Sequence, residues 1–126
     1  MNKQTVSTPN APAAIGPYSQ GVKIGNLIFT SGQLPLNPQS GELVADIEGA
    51  TKQSLDNVKA ILESAGATMD KIIKTVVFLR DMNDFAAMNA VYATYFPSNP
   101  PARSAVQVAR LPKDAILEIE AIALAE

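Results

Sequence analysis

The chain has 126 residues, of which 47% are hydrophobic and 17% charged, and it carries a net charge of −2 with no cysteine, histidine or tryptophan. This size and composition predict one globular domain spanning residues 1–126. The missing residue types exclude disulfides, thiolate nucleophiles, Cys- or His-ligated metal sites and Ser-His-Asp catalysis. A magnesium or calcium site built from carboxylates is not excluded, but no calcium-loop spacing is present, and no metal site is expected.

The charge pattern and the hydropathy also limit the partners. The 10 basic and 12 acidic residues include no basic run of the kind that binds nucleic acid. No apolar stretch reaches the ~18 residues of a membrane span, and the N-terminus lacks the apolar core of a secretory signal. We therefore expect a cytoplasmic protein that binds neither a membrane nor a nucleic acid.

The first part of the chain predicts a loop followed by a β-hairpin. Three prolines within residues 8–17 exclude a helix or a central strand and favour an ordered loop. Two apolar runs predict strands over 18–24 and 27–33. The dipeptide Gly25-Asn26 between them favours positive φ and a tight hairpin turn.

The rest of the chain alternates helices and strands. The predicted elements are a helix over 47–65, a strand over 72–80, a helix over 84–96, and strands over 103–110 and 116–124. Asp46 is the expected N-cap of the first helix, and Gly66 is expected just after its end. Asn83 or Asp84 is the expected N-cap of the second helix.

This order predicts an α+β domain in which two helices cover one face of a mixed sheet. In the last strand the odd positions are expected to face the core, and in strand 103–110 the even positions Ser104, Val106 and Val108. Strand 72–80 is apolar on both faces, with Ile73, Val77 and Leu79 on one and Ile72, Val76 and Phe78 on the other. Since two helices cover only one face, we expect the second face to meet another subunit of a homo-oligomer.

Two groups of charged residues are candidates for chemistry. Arg103 follows the rigid Pro100-Pro101 pair, and a fixed guanidinium matches a carboxylate through two hydrogen bonds. Glu118 and Glu120 share one face of a strand, where they could orient a water or carry a proton. The pattern alone favours simpler roles, namely a surface ion pair for Arg103 and a solvated edge or an ion pair across a subunit boundary for the glutamates.

Other candidates are uncharged. The hydroxyl of Tyr18 could bind a ligand, and Ser31-Gly32 at a strand end allows close approach of a ligand or another chain. Phe85 and Asn89 share one face of the second predicted helix. By pattern alone Tyr18 and Phe85 are more typical of the core, and Ser31-Gly32 of a β-bulge.

Taken together, six segments of the chain resemble the RidA (YjgF) family of reactive intermediate deaminases. They are APAAIGPYSQG (11–21), TSGQLPLNPQSGE (30–42), QSLDNVKAILESAGA (53–67), TVVFLRDMNDFAAMN (75–89), PPARSAVQVARLPKDA (100–115) and EIEAIA (118–123). They occur in order over nearly the whole chain, and PARS followed by VARLPKD and EIEAIA is highly specific.

The resemblance implies a fold, an assembly and an activity. The fold is a chorismate-mutase-like subunit in a homotrimer, with ligand clefts at the subunit boundaries. The activity is hydrolysis of small enamines and imines, of the 2-aminoacrylate or 2-iminopropanoate type, to a 2-keto acid and ammonia. No cofactor is implied.

The resemblance also implies roles for individual residues. Arg103 would bind the substrate carboxylate, Glu118 would hold the attacking water, and the Tyr18 hydroxyl would reach the cleft. The remaining residues that would line the site are Ser31, Gly32, Phe85, Asn89 and Ala105. Ala105 stands where many bacterial members have cysteine; it would line the cleft through its backbone, so activity is expected to survive.

Two other functions remain open at this point. One is a regulatory protein that binds 2-keto acids through Arg103 without turnover. The other, a ribonuclease or translation inhibitor, has less support, because the chain lacks histidine and a basic run. It stays open because Arg103, Arg110 and Lys113 could cluster.

Overall fold

Both helices pack against the same face of a six-stranded mixed sheet in the computed structural model, which describes residues 2–125. The elements are β1 (Gln4–Val6), β2 (Gly21–Ile24), β3 (Leu27–Thr30), α1 (Ile47–Ser64), β4 (Ile72–Leu79), α2 (Phe85–Tyr95), β5 (Ala102–Gln107) and β6 (Leu117–Leu124). The strand order is β1-β2-β3-β6-β4-β5, and only β4 and β5 run parallel. The predicted α+β fold is confirmed.

The predicted hairpin forms, but its strands are shorter than expected. Gly25 turns at φ 57° between β2 and β3. The β2 strand starts at Gly21 rather than at residue 18, because the preceding residues belong to the proline-rich loop. The β3 strand ends at Thr30 rather than at residue 33. β1 was not predicted, since three mostly polar residues at a sheet edge carry no hydrophobic pattern.

The end signals of α1 are confirmed, and those of α2 only in part. The Asp46 side chain accepts a hydrogen bond from the Gly49 N–H at 2.8 Å, and Gly66 adopts φ 92° just after the helix. Asp84 lies at the N-cap of α2 but makes no side-chain cap bond. Instead, Asp81 accepts from the Asn83 N–H at 2.9 Å and caps the 3-10 turn that precedes α2.

The odd positions of β6 are buried beneath the helices as predicted, whereas two other face assignments are wrong. A bulge between Ile72 and Lys74 rotates the start of β4, so Ile72 joins the core and Ile73 is 44% exposed. In β5 the odd residues, not the even ones, face the helices. Ser104 and Val106 are exposed there, and Val108 lies past the end of the strand.

The second face of the sheet carries no helix and exposes apolar side chains. Phe29 is 39% exposed, Ile24 36% and Val106 44%. Glu118 and Glu120 are half-buried on this same face, because their neighbours in β6 point into the core. Within residues 2–125, no helix is long and apolar enough to cross a membrane.

The side chain of Gln20 holds the proline-rich loop in place. Its Oε1 accepts from the Thr8 N–H at 2.7 Å, and its Nε2 donates to the carbonyls of Thr8, Ala11 and Pro12 at 3.1, 3.2 and 2.7 Å. Gln20 is only 4% exposed. One buried amide therefore satisfies backbone groups that the prolines keep out of the sheet.

Replacing Gln20 by leucine should destabilise the fold by about 1–3 kcal/mol, since buried backbone groups would lose their partner. The check is urea unfolding of Gln20→Leu and of the control Gln39→Leu, which removes an exposed amide. A Gln20→Leu midpoint equal to that of the control would show that the loop does not depend on this side chain.

Candidate functional site

Apart from Ala105, the residues predicted to form the site lie in two clusters on opposite faces of the sheet. β4 shows this directly, because Arg103 of β5 pairs with Thr75, whereas Glu118 of β6 pairs with Phe78. Residues three apart in a strand point to opposite faces. Arg103 is therefore on the helix-covered face, and Glu118 is on the open face.

The first cluster, here called the Glu118 cleft, has a volume of about 400 Å³. Four predicted site residues lie in it: Tyr18, Ser31, Gly32 and Glu118. Its other lining residues are Pro12, Ala13, Ile15, Gly16, Gln33, Leu34, Leu36, Pro112 and Lys113. The cleft thus combines one carboxylate, one phenol and one ammonium group with an otherwise largely apolar wall.

The segment after β3 forms the floor beside the carboxylate. The Ser31 hydroxyl donates to the Ser19 carbonyl at 2.6 Å, and the Gln33 N–H donates to the Ile119 carbonyl at 2.7 Å. Between them, a Cβ on Gly32 would lie 2.5 Å from Glu118 Oε2 and 2.7 Å from its Cδ. Any side chain at position 32 would therefore displace the carboxylate, so glycine at this strand end leaves Glu118 in its observed position.

Burial raises the pKa of Glu118 above the ordinary glutamate value, and the charge of neighbouring Glu120 raises it further. Of the two ion pairs found between residues 2 and 125, neither includes Glu118. A desolvated carboxylate with a raised pKa is suited to accept and return a proton near neutral pH. Its proton is held to higher pH than that of an ordinary glutamate, so the basic form is lost earlier as the pH falls.

Lys113 is a cleft residue that was not predicted. Lys113 and Asp114 both adopt left-handed backbone conformations, with φ 58° and 55°. The Arg110 guanidinium pairs with the Asp114 carboxylate at 2.8 Å, and Arg80 donates to the Asp114 carbonyl at 3.0 Å. Arg110 is thus paired with Asp114 and Arg103 lies on the other face, so Arg103, Arg110 and Lys113 do not cluster within one chain.

The second cluster, here called the Arg103 pocket, lies at the edge between β5 and α2. The Arg103 Nη1 donates to Asn89 Oδ1 at 2.7 Å. The guanidinium carbon lies 5.4 Å from the ring centre of Phe85 and 4.8 Å from that of Tyr92. Phe85 and Asn89 thus contact Arg103 itself, and Tyr92 of α2 is a further neighbour that was not predicted.

The remaining predicted site residue, Ala105, packs against the core. It pairs with Val77 in the parallel β4–β5 ladder and is partly buried. It lines neither the Glu118 cleft nor the groove beside Arg103, whose residues are Asn89, Tyr92, Ala93, Phe96, Pro100, Pro101 and Arg103. In the described part of the chain, acidic side chains do not gather into a group that could hold a metal ion.

Replacing Glu120 by glutamine should lower the pKa of Glu118, because it removes the neighbouring negative charge. Burial, the larger cause, remains, so the pKa should stay above the ordinary value. NMR titration of the Glu118 side-chain carbonyl carbon measures this, with the exposed Glu63→Gln as the control. An unchanged Glu118 pKa in Glu120→Gln would mean that the two carboxylates do not interact.

The sequence and the fold both match known proteins over almost the whole chain. The family model described as Endoribonuclease L-PSP matches residues 8–125. A protein of Escherichia coli K12 named 2-iminobutanoate/2-iminopropanoate deaminase is 58% identical over 96% of this chain and 97% of its own length.

Two solved structures from Escherichia coli have the same fold. The YjgF gene product is 56% identical, with a TM-score of 0.93 over 98% of this chain and 99% of its own. TdcF, crystallised with bound serine, is 52% identical, with a TM-score of 0.94 over the same shares. The chain belongs to the Endoribonuclease L-PSP family, the RidA (YjgF) family that its sequence resembles.

Proposed function

We propose that this chain is a hydrolytic deaminase of small 2-imino acids and their enamine tautomers, of the 2-aminoacrylate or 2-iminopropanoate type, acting in the cytoplasm. The observation that carries the proposal is the Glu118 carboxylate, desolvated and without an ionic partner in an open cleft beside Tyr18 and Gly32. The name of the Escherichia coli relative, 58% identical, supports the same activity.

The chemistry requires few groups. The imine carbon is already electrophilic, so a positioned water can add to it once a base takes a proton. Glu118 accepts that proton and passes it to the imine nitrogen, so the adduct carries a hydroxyl and an amino group on one carbon. Glu118 then takes the hydroxyl proton and gives it to the amino group, the C–N bond breaks, ammonia leaves, and the carbonyl of the 2-keto acid forms. One water is consumed for each ammonia released.

Tyr18 lines the same cleft, and its hydroxyl is the second polar group of the proposed reaction. Tyr18 is 50% exposed at the end of the loop that Gln20 anchors. A phenol can both donate and accept a hydrogen bond. Its proposed role is to orient the water or the substrate nitrogen, while Ser31 and Gly32 line the floor.

One subunit cannot supply both the base and the carboxylate ligand. Two strand spacings and three residues of rise separate Arg103 from Glu118 by about 10 Å across the sheet and about 10 Å along it, on opposite faces. In a 2-imino acid the carboxylate is bonded directly to the reacting carbon. The proposed site is therefore shared in a homotrimer, with Arg103 of one subunit facing Glu118 of its neighbour.

The open face of the sheet supports this assembly. Its exposed apolar side chains, including Phe29 and Val106, would otherwise remain in water. Covering this face with a neighbouring subunit also removes solvent from Glu118, which raises its pKa, whereas the facing Arg103 guanidinium would act in the opposite direction.

The proposed activity predicts different defects in two variants. In an assay that couples a threonine dehydratase to 2-keto acid formation, the parent should accelerate product appearance. Glu118→Gln should lower kcat by roughly 10²–10⁴ and leave 2-keto acid binding nearly unchanged. Arg103→Ala should weaken 2-keto acid binding by about 10- to 150-fold, the loss expected for a charge-assisted hydrogen bond.

The exposed Glu63→Gln is the matched control and should behave as the parent. A parent that binds 2-keto acids by calorimetry without accelerating imine hydrolysis would be a regulatory binder instead. The family description makes RNA cleavage the other alternative to measure. Cleavage by the parent that is lost in Glu118→Gln would assign the cleft to that reaction.

A shared site predicts that two inactive variants restore activity together. Arg103→Ala and Glu118→Gln chains are co-expressed with different tags and purified through both. Each mixed trimer then contains one complete site, so activity should return to about one third of the parent's value. The control pairs two differently tagged Arg103→Ala chains and should stay inactive. Mixed assemblies without activity would place the whole site within one chain, contrary to the proposal.

A further inference from the structure

The guanidinium of Arg103 lies between side chains of α2 on several sides. Asn89 accepts a hydrogen bond from Nη1 at 2.7 Å, and the rings of Phe85 and Tyr92 lie 5.4 and 4.8 Å from the guanidinium carbon. Aromatic faces attract cations most strongly where water is partly excluded. Arg103 is half-buried, so this condition is met.

Of these neighbours, Tyr92 is itself the most firmly held. It is 6% exposed, its hydroxyl lies 2.7 Å from the buried Thr75 hydroxyl, and its ring packs 4.8 Å from that of Phe96. Burial raises its pKa, so the phenol is neutral. Thr75 is also the residue of β4 that pairs with Arg103. Arg103, Tyr92 and Thr75 are thus mutual neighbours, and their contacts connect α2 to β4 and β5.

We propose that Tyr92 is a positioning residue for substrate binding: its ring, fixed by Thr75, holds the Arg103 guanidinium in the orientation that receives the substrate carboxylate. This inference rests on the proposed function, in which Arg103 binds that carboxylate. Asn89 occupies only Nη1, so other N–H groups of the guanidinium remain for the ligand. A prepositioned fork loses less conformational freedom on binding than a mobile one.

The ring and the hydroxyl of Tyr92 can be tested separately. Tyr92→Leu removes the aromatic face and should raise KM, and weaken 2-keto acid binding, by about 3- to 20-fold, while kcat changes little. Tyr92→Phe keeps the ring and should restore most of the affinity, with a loss of stability from the unpaired Thr75 hydroxyl. In an Arg103→Ala background, Tyr92→Leu should cause little further loss of affinity.

Tyr95 provides the matched control on the same helix. Its hydroxyl donates to Asp56 at 2.6 Å and does not contact Arg103. Tyr95→Leu should therefore lower the stability of α2 without raising KM. An equal rise of KM in Tyr95→Leu and Tyr92→Leu would overturn the inference, because general loosening of the helix would then explain both.

A measurement without substrate separates this inference from the proposed function. The chain has three arginines, so the Arg103 Nε–H signal can be assigned in a ¹⁵N NMR spectrum by comparison with Arg103→Lys. Ring currents should displace it from the positions of Arg80 and Arg110, and the displacement should shrink in Tyr92→Leu and persist in Tyr92→Phe. If it persists in Tyr92→Leu, Tyr92 does not position Arg103, whether or not the parent is a deaminase.

Discussion

The antiparallel pairing of β6 with β4 is the constraint on which both the fold and the site depend. Leu117 and Ile119 are fully buried under the helices, and strand geometry then forces the residues between them to the other face. Glu118 is therefore held on the open face by the burial of its own neighbours. The packing of Leu117 and Ile119 thus places Glu118 on this face, and no ion pair of Glu118 is needed to do so.

The same strand pairing also keeps Arg103 and Glu118 apart. β5 joins the sheet in parallel with β4 and places Arg103 opposite Thr75, under α2. A group that can bind an anion and a group that can act as a base are thus built into one chain but kept apart. In the proposed reaction each cluster supplies only part of the site. The apolar open face links the proposed assembly to the proposed function, since a second copy that covers this face would cover both Phe29 and Glu118.

Much of this was predictable from the sequence where the signal is local. The apolar spacing in α1, the Asp46 cap and the alternation in β6 each encode a local preference that the packed structure keeps. The face of β5 was not predictable in this way. The residues of β5 that face the helices include the small Ala105 and the charged Arg103, so the hydrophobic pattern predicts the opposite face. Arg103 nevertheless faces the helices, because aromatic rings of α2 cover its charge.

The other wrong assignments have similar causes. A bulge such as that at Ile73 shifts the alternation by one residue and leaves no mark in composition. Tyr92 carries the pattern of a core residue, and it is one, so only its three-dimensional neighbours show its contact with Arg103. Lys113 lines the cleft at a turn where Lys113 and Asp114 both adopt left-handed backbone conformations. Neither residue is a glycine, so the sequence carries no signal for this conformation.

The two clusters also differ in their contacts, and the difference suits the proposed reaction. Arg103 contacts two rings and an amide, whereas Glu118 lies against the bare backbone of Gly32 without an ionic partner. A carboxylate ligand needs a fixed direction, since two hydrogen bonds must align at once. A general base needs a pKa near the working pH, and burial moves the pKa of Glu118 in that direction. An electrophilic imine requires little else, so a chain without histidine or cysteine can supply the groups that its hydrolysis needs.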